Sequence, residues 1–218
     1  MADRAQAAVV EFTSYLRTLM ASRTRGAGDG FLDVLMAEQS EHFGGDKLAA
    51  HLIALLFAAH ETTANLLGAM VFTLLRHPDA FERVRSNPDL IPATVEECVR
   101  FESPGHALSR TVLEDVELHG ERLKPDDRLL LLVGSANRDP EQFAEPDRFD
   151  IGRTESRHVG FGYGIHFCAG AALARMEAQI VLATVLERWP SLRLVEDSPP
   201  RWNLNLALRG LQHLRIAF

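Results

Sequence analysis

Residues 161–170 restrict this chain more than any other stretch. Phe161-Gly162-Tyr163-Gly164-Ile165-His166-Phe167-Cys168-Ala169-Gly170 holds three glycines, two phenylalanines and a single cysteine. Glycine at that density marks a backbone that turns tightly or comes close to another group. An amphipathic pattern follows at once over residues 171–189, so the loop runs straight into a helix. A cysteine just before a helix lies in the positive field of the helix N-terminus, which favours its thiolate. A lone Cys-x-Gly would read as a glycine-rich turn with a buried free cysteine. The whole pattern, a thiolate on a glycine-lined loop with flat aromatics beside it, suits a metal carried by a large planar group: an axial ligand to haem iron.

The chain has 218 residues, which suits a single domain over 1–218 or at most two small ones. With 46% hydrophobic and 24% charged residues it reads as soluble and globular. A net charge of −7 argues against a general nucleic-acid binder. Cys98 and Cys168 are the only cysteines, so no disulfide framework is expected and a reducing cytoplasm is. The opening Met1-Ala2-Asp3-Arg4 carries no apolar signal core. Residues 51–75 are long and apolar enough for a membrane span. They include His51, His60, Glu61 and Asn65, and a glutamate near mid-span is costly. A buried central helix of a soluble protein is the expectation.

Apolar spacing predicts helices over residues 4–23, 31–38, 47–76, 79–86 and 92–101, with Asp29 and Asp46 as caps and His77-Pro78 as a stop. The pattern then alternates, predicting strands over 107–113 and 115–118. The continuous apolar run 129–133 predicts a buried strand. Residues 136–160, rich in Pro, Asp, Arg and Gly, read as irregular loop. Short strands are expected at 192–195, 204–208 and 214–218. The fold class is mainly α with a small antiparallel β component.

Two further constellations carry chemistry. In Ala58-Ala59-His60-Glu61-Thr62-Thr63, a mid-helix threonine can turn its hydroxyl back to the carbonyl of Ala58 and bend the helix. Beside an iron, Thr62 would orient bound oxygen and Glu61 would pass protons. In Glu97-x-x-Arg100 the two side chains share a helix face and can pair. On a surface such a pair contributes little. Buried, it needs further partners, such as Arg148. His166, two residues before the cysteine, is a candidate for a haem carboxylate.

Taken in order and spacing, these motifs resemble the cytochrome P-450 family of haem-thiolate monooxygenases. Phe161-Gly162-x-Gly164-x-His166-x-Cys168-x-Gly170 is similar to the family's haem-ligand signature, Ala58 to Thr63 to its oxygen-activation motif, and Glu97-x-x-Arg100 to its helix pair. Pro146-Asp147-Arg148-Phe149 resembles the segment whose arginine, here Arg148, completes that pair as a structural triad. Arg110 matches a position where the family binds a haem propionate, and Asn137-Arg138-Asp139-Pro140 looks bacterial and soluble.

The resemblance implies haem b with Cys168 as thiolate ligand to iron. It implies Phe161, Gly162, Gly170, His166 and Arg110 around the haem, and Thr62 and Glu61 in proton delivery. The implied activity is insertion of one atom of dioxygen into a small organic substrate, with electrons from a ferredoxin-type partner. Arg153, Arg157, His158 and Arg175 flank the loop as a candidate basic docking patch, with ordinary solvated charge as the blander alternative. Val112, Leu113 and Leu208 are candidate substrate-wall residues.

Two departures accompany the resemblance. Ala59 stands where the family usually has glycine. The match also covers only the C-terminal half of the family fold, so the chain is expected to be truncated on its N-terminal side. That predicts exposed apolar surface along the long helix, suited to self-association or to a completing partner chain. It also keeps a second functional class open: a truncated, non-catalytic relative acting as a haem-binding or partner-recruiting scaffold.

Overall fold

A computed structural model describes residues 2–23, 28, 30–37, 45–154, 157–195 and 199–218. The chain divides into two compact units, Met1–His60 and Glu61–Phe218.

The first unit holds α1 (Ala2–Ala21), α2 (Phe31–Ala37) and the opening turns of α3 (Gly45–Arg76). Its core is one small cluster: Leu16 of α1, Met36 of α2, and Leu48, Ala49 and Leu52 of α3. Arg23 closes on Asp33 at 2.8 Å, with the carboxylate largely buried. The predicted cap Asp29 lies outside the described residues, and so does the side chain of Asp46.

The second unit carries the rest of α3, then α4 (Pro78–Ser86), α5 (Ile91–Phe101), the short α6 (Val133–Ala136) and α7 (Ala171–Arg188). Pro78 suits the first turn of α4, where its missing N–H is not needed. Asn87 ends that helix, and its side-chain oxygen accepts from the Asp89 N–H at 3.3 Å, which starts the next turn. The core joins Leu66, Met70 and Leu74 of α3, Val84 of α4, Val95, Cys98 and Val99 of α5, and Ala178, Leu182 and Leu186 of α7. Each set recurs at three- and four-residue spacing, which puts it on one face of its helix.

Among the described residues, six short strands form three antiparallel pairs: β1 (Leu108–Thr111) with β4 (Arg128–Leu131), β2 (Val116–Leu118) with β3 (Glu121–Leu123), and β5 (Arg193–Leu194) with β6 (Ile216–Ala217). In the first pair Leu108 faces Leu131 and Arg110 faces Leu129.

Three expectations need correction. The strand expected at 204–208 is a turn, joined to the rest by a single bridge between Gly105 and Leu208. The side chain of Asn205 accepts from the N–H groups of Ala207 and Leu208, and a side chain that takes over backbone donors ends a strand. The apolar run at 129–133 is not a buried strand, because Leu130, Leu131 and Leu132 are all exposed. Finally, α3 is not buried along its length. Leu66, Met70 and Leu74 are buried, whereas Leu55, Leu56 and Phe57 are exposed, Phe57 at 63%. The exposed apolar surface expected on the long helix is therefore present. By length and composition α3 would also suit a membrane span, but Glu61 lies near its middle.

Candidate functional site

The loop at 161–170 folds back on itself through its own backbone. The Cys168 N–H donates to the Phe161 carbonyl at 2.9 Å, and the Phe167 N–H to the Gly164 carbonyl at 3.0 Å. Gly162 sits at φ 76°, in the left-handed region. A Cβ there would also lie 3.2 Å from the His166 carbonyl oxygen. Glycine is required at 162 on both counts. Gly170 leads directly into α7, and the Ala174 N–H donates to its carbonyl at 2.9 Å.

A cleft of about 220 Å³ opens beside this loop. Thr62, Thr63 and Leu66 of α3 line it, with Val99 of α5, Leu108 of β1, and Phe161, Gly162, His166 and Cys168 of the loop. The fold thus brings Thr62, Phe161, Gly162, His166 and Cys168 to one place, although Thr62 and Cys168 are 106 residues apart in the chain. Glu61 is half-buried beside Thr62 but does not line the cleft. Arg110 sits on β1, on the same strand face as Leu108. It is half-buried, and it donates to the Ser109 carbonyl at 2.9 Å. Val112, Leu113 and Leu208 do not line the cleft. Val112 is buried, and Leu113 is 88% exposed.

The two cysteines differ sharply. Cys98 is 1% exposed, and burial, helped by the neighbouring Glu97 and Glu102, pushes its thiol far up. It is an inert core residue. Cys168 is exposed at the cleft and is the thiol available to a ligand.

Behind the loop lies a buried ionic network. Arg100 donates from Nε and Nη2 to the two oxygens of Glu97 at 2.7 and 2.8 Å. Its remaining N–H groups reach the carbonyls of Asn137 (2.8 Å), Pro146 (2.9 Å) and Arg148 (3.1 Å). The guanidinium has five N–H donors, and every one has an acceptor. Glu97 also accepts from the Asp150 N–H at 2.9 Å.

The third side chain at Glu97 belongs to Arg153, whose Nε lies 3.3 Å from the carboxylate. The side chain of Arg148 points outward, 61% exposed, and pairs with Glu145. Arg148 serves the network through its carbonyl alone. No periodicity in the irregular stretch around Arg153 could have singled it out. Asn137 was equally hidden. Fully buried, it donates to Ser103 Oγ at 2.7 Å and accepts from the Val159 N–H at 2.8 Å.

The basic patch expected at Arg153, His158 and Arg175 does not form, because these side chains are turned inward onto carboxylates. Arg175 binds Glu96 through two bonds of 2.6 and 2.9 Å. His158 meets the same carboxylate at 3.1 Å, with its side chain 2% exposed. Burial would raise the Glu96 carboxyl, but the bonds from His158 and Arg175 outweigh it and hold the group at about 2. Arg157 alone of the four is exposed.

The family model for cytochrome P450 matches residues 2–209. The chain belongs to the cytochrome P450 family. It is 42% identical over 218 residues to cytochrome P450 107B1 of Saccharopolyspora erythraea, covering 98% of this chain and 53% of that protein. It is 36% identical to 6-deoxyerythronolide B hydroxylase of the same organism, covering 98% and 54%. Among solved structures it resembles CYP109E1 from Bacillus megaterium in complex with testosterone. The TM-score is 0.93 at 34% identity, covering 99% of this chain and 60% of that one. The chain thus spans about half the length of the curated relatives it matches, and it has the fold of the C-terminal portion of a P450.

Membership implies haem b with a cysteine thiolate on the iron. The residues present fit that group. One exposed thiol stands at the cleft, the walls around it are mostly apolar, and His166 lies on the same rim. Cys98 cannot compete, being sealed in the core.

Proposed function

We propose that this P450 chain supplies the haem-binding and oxygen-activating part of a monooxygenase. The reaction inserts one atom of dioxygen into a small organic substrate, with electrons from a ferredoxin-type partner, in the cytoplasm. The observation that carries this reading is the placing of Thr62 and Cys168 on one apolar cleft. When bound, the haem supplies the iron at which dioxygen is activated. Cys168 holds that iron as thiolate, and Phe161, Gly162 and Gly170 shape the loop around it. His166 and Arg110 hold the haem carboxylates. The Thr62 hydroxyl holds a proton at the cleft wall, and Glu61 relays protons to it. Glu97 and Arg100, with the Arg148 carbonyl and the Arg153 guanidinium, keep the loop's scaffold rigid. The family match runs through both compact units, which supports treating 1–218 as one haem-thiolate domain. Leu55, Leu56 and Phe57 on α3, with Leu173, Met176 and Ile180 on α7, are exposed apolar residues. They support association with a further segment or a second copy.

The test is the absorption spectrum of the purified protein, reconstituted with haem, reduced and exposed to carbon monoxide. A red-shifted Soret band that Cys168→Ser abolishes is the expected result. A chain that takes up no haem, or a Cys168→Ser variant with the same spectrum, would sink the proposal.

A further inference from the structure

Adjacent residues on a helix point about 100° apart, and α5 uses this to serve two separate networks. Glu97 turns to Arg100 and Arg153. Glu96 turns to α7 and to the segment that enters the cysteine loop, where it meets Arg175 and His158. This second network contacts the loop directly. The guanidinium of Arg175 lies over the face of the Phe161 ring, 4.3 Å from its centroid. The His158 ring lies 5.9 Å from the same ring. His158 Nδ1 accepts from the Gly160 N–H at 3.2 Å, so Nε2 carries the proton donated to Glu96. Phe161 in turn holds the cysteine, because its carbonyl accepts the Cys168 N–H at 2.9 Å. One unbroken chain of contacts therefore runs from Glu96 through Arg175 and Phe161 to Cys168.

We propose that Glu96, His158 and Arg175 act as positioning residues for the ligand loop. Arg175 clamps the Phe161 ring and so fixes the backbone that presents Cys168, and its positive charge is held beside that loop. Glu96 aims the guanidinium, and His158 locks the approach to the loop at Gly160. Arg175 is raised above its ordinary value chiefly by its bonds to Glu96. Lysine cannot replace arginine here, since an ammonium offers neither the planar stack nor the two parallel bonds.

The first test needs no haem. Hydrogen exchange by mass spectrometry is followed on the whole chain for the native protein, Arg175→Gln, Arg175→Lys and Glu96→Gln. Losing a charge-assisted clamp should speed exchange of the loop amides over 158–170 by about ten-fold or more, while peptides from α3 and α4 keep their native rates. Arg175→Lys should fall between native and Arg175→Gln. An unchanged loop in Arg175→Gln, or equal acceleration throughout the unit, would overturn the positioning role.

The second test rests on the haem-thiolate reading and uses the reduction potential of the haem-loaded protein. Loss of the positive charge in Arg175→Gln should lower the potential, and Arg175→Lys should restore most of it. Equal potentials in all three proteins would overturn the electrostatic part. If the native chain bound no haem, the proposed function would fail while the exchange result still decided the clamp.

Discussion

Replacing Arg100 with lysine keeps the charge and most of the length, yet it should be among the most damaging single changes in the second unit. Arg100 is wholly buried and its five donors meet five acceptors: both oxygens of Glu97 and the carbonyls of Asn137, Pro146 and Arg148. An ammonium has three donors and no planar fork, so at least two buried acceptors lose their partner. Each orphaned group costs about 1–3 kcal/mol, so two cost about 2–6 kcal/mol. Set against a domain stability of about 5–15 kcal/mol, that is a large share. Urea unfolding followed by circular dichroism measures it. With a slope of about 2 kcal/mol per molar, the midpoint should fall by roughly 1–3 M at unchanged slope. The control is Arg85→Lys, in the exposed pair with Glu82, where the midpoint should not move. A midpoint shift for Arg100→Lys no larger than the control's would refute the argument that geometry, not charge, makes this pair valuable.

Other expectations are quick to check. A thiol reagent should modify one cysteine, Cys168, in the folded protein and two after denaturation, because Cys98 is sealed in the core; fast modification of Cys98 in the native state would contradict the burial. Glu96 is held at about 2 against an ordinary value of 4.5. A carboxyl depressed on folding stabilises the protein above its unfolded value, and that contribution, about 3 kcal/mol at most, fades as pH falls from 4.5 towards 2. Acid unfolding should therefore be shallower across that window in Glu96→Gln, and an unchanged profile would count against it. Gly162→Ala places a side chain at a positive φ and against the His166 carbonyl. It should lower stability by about 1–2 kcal/mol and reduce haem uptake in a titration. Gly134→Ala drives a methyl group into the His106 ring, and calorimetry should register a loss of about 1–3 kcal/mol.

The ligand loop was the most legible part of the chain, because its demands are local. A positive φ at 162, a close backbone approach and a helix entered immediately afterwards can each be met only by particular residues in a particular order. The helices were legible for a similar reason, since a repeat of three and four residues is carried by the segment itself. The strand expected at 204–208 failed on a local competitor, the Asn205 side chain, whose bonds to two backbone donors leave no trace in hydrophobic alternation. The buried strand expected at 129–133 failed because an apolar run records what a segment can bury, not what is there to bury it.

By itself the sequence determined the identity of the thiol-bearing loop, its glycines, the helical majority and the pair at Glu97 and Arg100. Tertiary structure decided which of two cysteines faces a cleft and which is locked in the core. It also decided that Arg153, not the side chain of Arg148, reaches Glu97, and that Arg175 and His158 turn inward to Glu96 instead of outward to a partner. The physical reason is the same in each case. A charged side chain on an irregular segment has many acceptors within reach of its length, and only the packing of distant segments selects one. The loop at 161–170 therefore carries its own instructions for turning, while the charges that hold it in place come from α5, α7 and the long stretch between them.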